Sequence, residues 1–217
     1  MSRWLVLLPL LALASCSTPQ EHEAGAIHLT MANRSATPQA LEEMWISPVA
    51  VRIHHDLRPD GSPKRITLAR MDVGVVYELD PAAKTYAEYR FDWLSAKMDK
   101  GDGPDYQVHP YEITEVAGHP AEGYILMKEG RSVGKVWVAR DVQPEGSTAM
   151  AWRVYHRFRG FTNTLRQVPG VIVKQDLALP DYAYDCEAQA VSVIEEPPKD
   201  LFELPTGYEK KQPADEK

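Results

Sequence analysis

An alternation of period two runs through the first half of the chain and constrains its fold more than any other feature. Val49, Val51 and Ile53 alternate with Ala50, Arg52 and His54; Ile66 and Leu68 precede Arg70; Val73, Val75, Tyr77 and Leu79 alternate with Gly74, Val76, Glu78 and Asp80. Successive side chains of a strand point to opposite faces, so this pattern buries one face of a sheet and fits no helix. Asp80, Pro81, Ala82, Ala83 and Lys84 read as a turn, because Pro81 suits the second turn position and Asp80 can bond back to the chain. Thr85, Ala87, Tyr89 and Phe91 then resume one face while Glu88 and Arg90 take the other, which predicts a hairpin. Residues 99–105, with Gly101, Gly103 and Pro104, are the clearest loop.

Farther along, both faces turn apolar. In Gly123, Tyr124, Ile125, Leu126 and Met127, and again in Val136, Trp137, Val138 and Ala139, no polar alternation survives, so these strands should be covered on two sides. The candidate cover is 147–168, where Met150, Val154, Phe158, Phe161 and Leu165 make a helical stripe, Trp152 and Tyr155 add bulk beside it, Ser147 or Thr148 caps the start, and Pro169 and Gly170 stop it. Arg153, Arg157 and Arg166 lie off the stripe. Val171, Val173, Leu177 and Leu179 return to strand, followed by a last strand around 190–194. Residues 197–202 should make one short turn that pins Leu201 and Phe202 on the body, and the end after Tyr208 should be loose. With 217 residues, 44% hydrophobic and 25% charged, there is enough apolar material for one domain. The formal charge of −7, with Lys and Arg scattered, argues against a nucleic-acid partner, which needs a concentrated basic face.

The first sixteen residues carry an address. Arg3 is followed by an apolar run over 4–14, too short to span a bilayer, which takes ~20 residues, and right for a signal peptide. Leu13, Ala14, Ser15 and Cys16 match a bacterial lipobox, in which the cysteine sulfur accepts a diacylglyceryl group and the chain is cut before it. Residues 1–15 are thus expected to be a lipoprotein signal peptide, 16–25 a lipidated N-terminus and tether, 26–208 a single domain, and 209–217 a polar tail. Acyl chains of palmitate length on Cys16 would hold the chain to a membrane far more firmly than one myristoyl group. Ser17, by resemblance to enterobacterial sorting, favours the outer membrane, facing the periplasm. Lipidation of Cys16 leaves Cys186 alone, which rules out an internal disulfide and favours a small packed side chain there.

Four segments carry a resemblance: RMDVGVVYELDP at 70–81 with KTY at 84–86, GHPAEGY at 118–124, VWVA at 136–139, and LFELPTGY at 201–208. They resemble the DUF4412 family of secreted bacterial proteins, which is similar to the LolA/LolB lipoprotein-carrier superfamily. The resemblance covers about residues 26–208 and rests on turns and strand ends. It implies a mainly β (α+β) fold: a curved, unclosed antiparallel β-sheet, or half-barrel, with a covering helix and an apolar cavity for acyl chains. Tyr124, Leu126, Trp137, Trp152, Tyr155, Phe158 and Phe161 are the candidate cavity residues.

Catalytic signals are few. His54, His55 and Asp56 could hold zinc or copper by residue type, but adjacent strand residues point apart, so a solvated strand end is the plainer reading. His22, His28, His109, His119 and His156 show no ligand spacing, and no GxSxG, SxxK, Walker or GxGxxG pattern occurs. No catalytic residue, metal or cofactor is therefore expected, and the chain reads as a non-enzyme. Two functions fit. One is a lipid-anchored envelope protein that shelters a lipid or other hydrophobic ligand. The other is an interaction lipoprotein with a filled core and envelope-protein partners.

Overall fold

The computed structural model describes residues 25–35, 39–90, 107–142, 170–179 and 182–211, with the backbone alone at 179 and 182–184. Within them the chain forms strands β1 (Ala26–Asn33), β2 (Ala40–Ile46), β3 (Ala50–His55), β4 (Arg65–Arg70), β5 (Val75–Asp80), β6 (Thr85–Arg90), β7 (Gln107–Val116), β8 (His119–Lys128), β9 (Arg131–Ala139), β10 (Val171–Leu179), β11 (Tyr182–Ile194) and β12 (Glu209–Lys210). They make a single sheet in the order β12-β6-β5-β4-β3-β2-β1-β11-β10-β9-β8-β7, so β12 and β7 are its edges and it does not close. Every pairing is antiparallel except β12 with β6. Right-handed strand twist accumulates across so many strands, and the sheet curves until β7 touches β11, four strands away.

Tight turns set the register. Ala117 and Gly118, with φ of 51° and 82°, join β7 to β8, and Glu129 and Gly130, at 51° and 74°, join β8 to β9. Two left-handed residues in a two-residue loop match the right-handed twist of the flanking strands. The hairpin β5–β6 closes where the alternation predicts it, with Asp80 Oδ1 accepting from the N–H groups of Ala82 and Ala83, both at 3.0 Å. One detail of the pattern fails. Val49 does not extend β3: Ser47 Oγ accepts from the Val49 and Ala50 N–H groups at 3.3 and 2.9 Å and ends the strand in a turn, leaving Val49 exposed.

Register places one apolar row on a common face. Ile27, Ile46, Val51, Ala69 and Val76 stand opposite one another across β1 to β5, with Leu29, Met44 and Ile53 beside them. Met31, Ala188 and Cys186 continue it through β11, and Val136, Val138, Tyr124 and Leu126 through β9 and β8. All are buried. The opposite face has a smaller core, where Ile66, Leu68 and Leu79 meet Tyr77, Tyr86 and the C-terminal side chains Phe202, Leu204 and Tyr208. Both sides of β4 are thereby covered, which is why Ile66, Thr67, Leu68 and Ala69 are all buried.

The expectation of a loose end after Tyr208 needs correction. Glu209 and Lys210 pair with Thr85 and Tyr86, and Lys211 N–H donates to Tyr86 O at 2.7 Å, because the strap that Phe202 anchors brings the backbone alongside the open edge of β6. The last strand, expected around 190–194, begins earlier and runs as β11 from Tyr182 to Ile194. The expected helix over 147–168 and loop over 99–105 lie outside the described residues. Among the described residues, no helix is long and apolar enough to cross a membrane.

Candidate functional site

The bulge between Pro110 and Ile113 opens a groove of about 740 Å³ beside the edge strand. It is lined by Pro110, Tyr111, Glu112, Ile113, Glu122, Gly123, Tyr124 and Arg140. Its floor is polar and tied together: Arg140 donates to the Tyr124 hydroxyl at 2.6 Å and approaches Glu122 at 2.9 Å, and the same hydroxyl donates to Glu122 at 2.6 Å. Burial and the Glu122 carboxylate push the Tyr124 hydroxyl pKa up. Its rim is apolar, with Ile113 78% and Tyr111 45% exposed. Lys135 lies 4.0 Å from the Tyr111 ring centroid, and Trp137 Nε1 donates to Glu112 at 3.2 Å. Gly123 is required here, since a Cβ would fall 2.8 Å from Trp137 Nε1. The groove presents a carboxylate, a guanidinium and a phenol, groups that can hold a polar ligand by charge and hydrogen bonds.

Two polar lines cross the sheet at β2 and β3. On the core face, His55 holds Thr67 Oγ1 at 2.9 Å through Nε2 and Glu42 at 3.3 Å through Nδ1, and the Thr67 hydroxyl donates to Glu78 at 2.9 Å. On the other face, Arg52 Nε donates to His54 Nε2 at 2.9 Å and Arg52 Nη1 to Leu201 O at 2.8 Å. His28 stacks on Trp45 with centroids 4.9 Å apart, His54 meets the same ring edge-on at 4.7 Å, and His28 contacts Glu43 at 3.1 Å. Burial first, then the Arg52 charge and the neighbouring histidines, lower the His54 pKa to about 4.

Of the candidate cavity residues, Tyr124 and Leu126 share the core face. Trp137 stands opposite Gly123 and therefore points to the other face, because Val136 and Val138 take the inward positions. All three belong to one buried cluster. Trp152, Tyr155, Phe158 and Phe161 lie outside the described residues, as do Leu13, Ala14, Ser15 and Cys16. His54 and His55 point to opposite faces, as strand geometry requires, and among the described residues no group of three His, Cys, Asp or Glu is placed to hold a metal ion. Cys186 is fully buried, its thiol donating to Gln175 Oε1 at 3.3 Å. Sequence reading missed Arg140, Glu112 and Glu122 in the groove and Glu42, Thr67 and Glu78 on the core face. The one local signal was the two-residue spacing of Glu122 and Tyr124; the rest depends on cross-strand register.

No family model and no curated protein matches the chain. Among solved structures, an uncharacterized conserved protein from Thermus thermophilus is similar over 89% of this chain and 93% of its own, with a TM-score of 0.53 at 6% identity. MucB is similar over 84% of this chain and 58% of its own, with a TM-score of 0.48 at 12% identity, and its Pseudomonas aeruginosa complex with MucA also matches. The chain thus spans little more than half of MucB. A Vibrio parahaemolyticus domain described as a putative outer membrane lipoprotein-sorting protein is similar over 85% of this chain and 91% of its own, with a TM-score of 0.32 at 9% identity. Of these, the Thermus match rises above a TM-score of 0.5, and at its identity it speaks for the fold alone: a mainly β chain built on one unclosed, curved sheet.

Proposed function

We propose that this chain is a lipid-anchored protein of the bacterial envelope that holds a lipid or other hydrophobic ligand against the core face of its half-barrel, without catalysis. The observation that supports the reading is the buried, mostly apolar row of an unclosed sheet that runs from Val76 on β5 to Leu126 on β8. The anchor is the diacylglyceryl group on Cys16. Apolar burial at ~25 cal/mol per Å² supplies the affinity. The outer membrane, facing the periplasm, is the location that Ser17 favours.

Organic-solvent extraction of the purified, untagged protein followed by mass spectrometry tests the ligand, and co-purifying lipid is the expected outcome. Metabolic palmitate labelling tests the anchor: Cys16→Ala abolishes the label, and labelling at the wild-type level contradicts the lipobox reading. A second reading, an interaction lipoprotein with envelope-protein partners, is favoured by one observation. The core-face side chains Ile27, Leu29 and Met44 are completely buried, while the described groove has a charged floor. An extract free of lipid, with no fluorescent fatty acid bound, selects that reading.

A further inference from the structure

The two ends of the sheet differ in what they offer a neighbour. Gly25 enters β1 beside Ile194, so the tether leaves the body where β2, β4 and β11 finish and β3 and β5 begin. Three exposed valines mark that end: Val49, 50% exposed, in the β2–β3 turn; Val73, 57% exposed, in the β4–β5 turn; and Val193, 48% exposed, near the end of β11, on the core face opposite Ile27. At ~4.8 Å between strands they span about 20 Å, and the tether emerges inside that row. At the other end, the described turns at 56–64, 81–84 and 129–130 carry Arg58, Asp60, Lys64, Lys84 and Glu129, and among the described residues no exposed large hydrophobic side chain lies there.

The valine tips are held outward. Ser47 Oγ donates to Ala50 O at 3.1 Å and accepts from the Val49 and Ala50 N–H groups, and Met71 N–H donates to Val49 O at 2.8 Å, which ties one turn to the next. Asp72 chelates Arg70 Nε and Nη2 at 2.9 and 2.7 Å, and Gly74 at φ 69° completes the second turn. Rigid turns that present single apolar side chains lose little freedom on docking.

We infer that this end of the sheet rests on the bilayer, with Val49, Val73 and Val193 seated at the headgroup and acyl boundary. The inference depends on the proposed anchor at Cys16. Eight residues lie between Cys16 and Gly25, so the chain spans at most ~30 Å from the one to the other. A lipid on Cys16 therefore keeps the valine end within reach of the membrane surface while the polar turns face away. The charges at this end, Arg70, Asp72, Asp141 and Glu195 among them, are mixed, so the contact is apolar and independent of anionic lipid.

The test places an environment-sensitive fluorophore on Val73→Cys, and as control on Ala82→Cys in the β5–β6 turn, in the full lipidated protein reconstituted in phosphatidylethanolamine and phosphatidylglycerol vesicles. Cys186 is fully buried and does not compete for label. Protein that floats with the vesicles, with probe emission at 73 rising roughly twofold and quenched by headgroup-proximal nitroxide lipid while position 82 stays unchanged, is the expected result. Protein that floats while both probes remain equally wet overturns the docking and leaves the anchor standing. Protein that does not float overturns the anchor, and the docking with it. Emission at 73 that rises with protein concentration without vesicles assigns the valines to a second copy and also overturns the inference.

Discussion

The two faces of the sheet solve the same burial problem with different materials. The core face is a largely aliphatic row from β5 to β8, crossed by the line from Glu42 through His55 and Thr67 to Glu78 and, on β10, by the buried Gln175 between Cys186 and Val136. The other face carries a separate apolar cluster across β4 to β6, which the chain covers itself with the strap that carries Phe202, Leu204 and Tyr208, and farther along it buries Trp137 and Ala139 of β9. Across β1 to β3 it replaces aliphatic packing with His28, Trp45, His54 and Arg52 stacked and bonded in sequence. The first face owes its stability to area removed from water, which tolerates no missing volume. The second owes it to directional contacts, which respond to protonation.

Substitutions on the core face should therefore cost most. Leu29→Ala, at a completely buried position, is expected to lower unfolding free energy by about 3 kcal/mol in urea titration, and a loss below about 1 kcal/mol would mean that the site collapses freely. Thr67→Val keeps the volume but leaves His55 and Glu78 without their shared hydroxyl, for an expected loss of about 2 kcal/mol by the same measurement.

On the opposite face the expected effects are smaller and depend on conditions. His54 has its pKa lowered to about 4 in the folded chain, so the unfolded chain binds its proton first as pH falls. Stability from this group is complete above about pH 6.5 and is lost toward pH 4, by about 1–2 kcal/mol after allowance for solvent screening. Arg52, Glu43, His28 and His55 surround it, so the decisive measurement is the difference between wild type and His54→Gln: a slope over that range that survives the substitution belongs to another group. Phe202→Ala should cost about 1 kcal/mol, since its ring is only partly buried, and should increase hydrogen exchange at the Lys211 amide before that at β1.

Much of this division is legible in the amino-acid order. Alternation announces β5 and β6, the Asp80 turn and the double coverage of Val136 to Ala139, because each depends on neighbours in sequence. Leu201 and Phe202 likewise declare themselves as an apolar pair in a polar end. Trp137 shows the limit: where both faces are apolar, period two says nothing about which side chain points inward, and only its pairing with Gly123 decides. Val49 fits the phase of β3 but falls to the turn chemistry of Ser47. The groove was hidden for a related reason, since Arg140 reaches Tyr124 across a hairpin and no local pattern marks that contact.

The parallel pairing of β12 with β6 has a consequence for the order of events during synthesis. β6 leaves the ribosome long before residues 209–211, so its outer backbone groups remain an open template while β7 to β11 are still being made. A nascent chain must be kept from joining another copy through that edge until its own last segment arrives to occupy it. Shortening the chain by a few residues before Glu209 would leave every other strand in place and yet produce a molecule prone to stick edge to edge, detectable as concentration-dependent growth in light scattering.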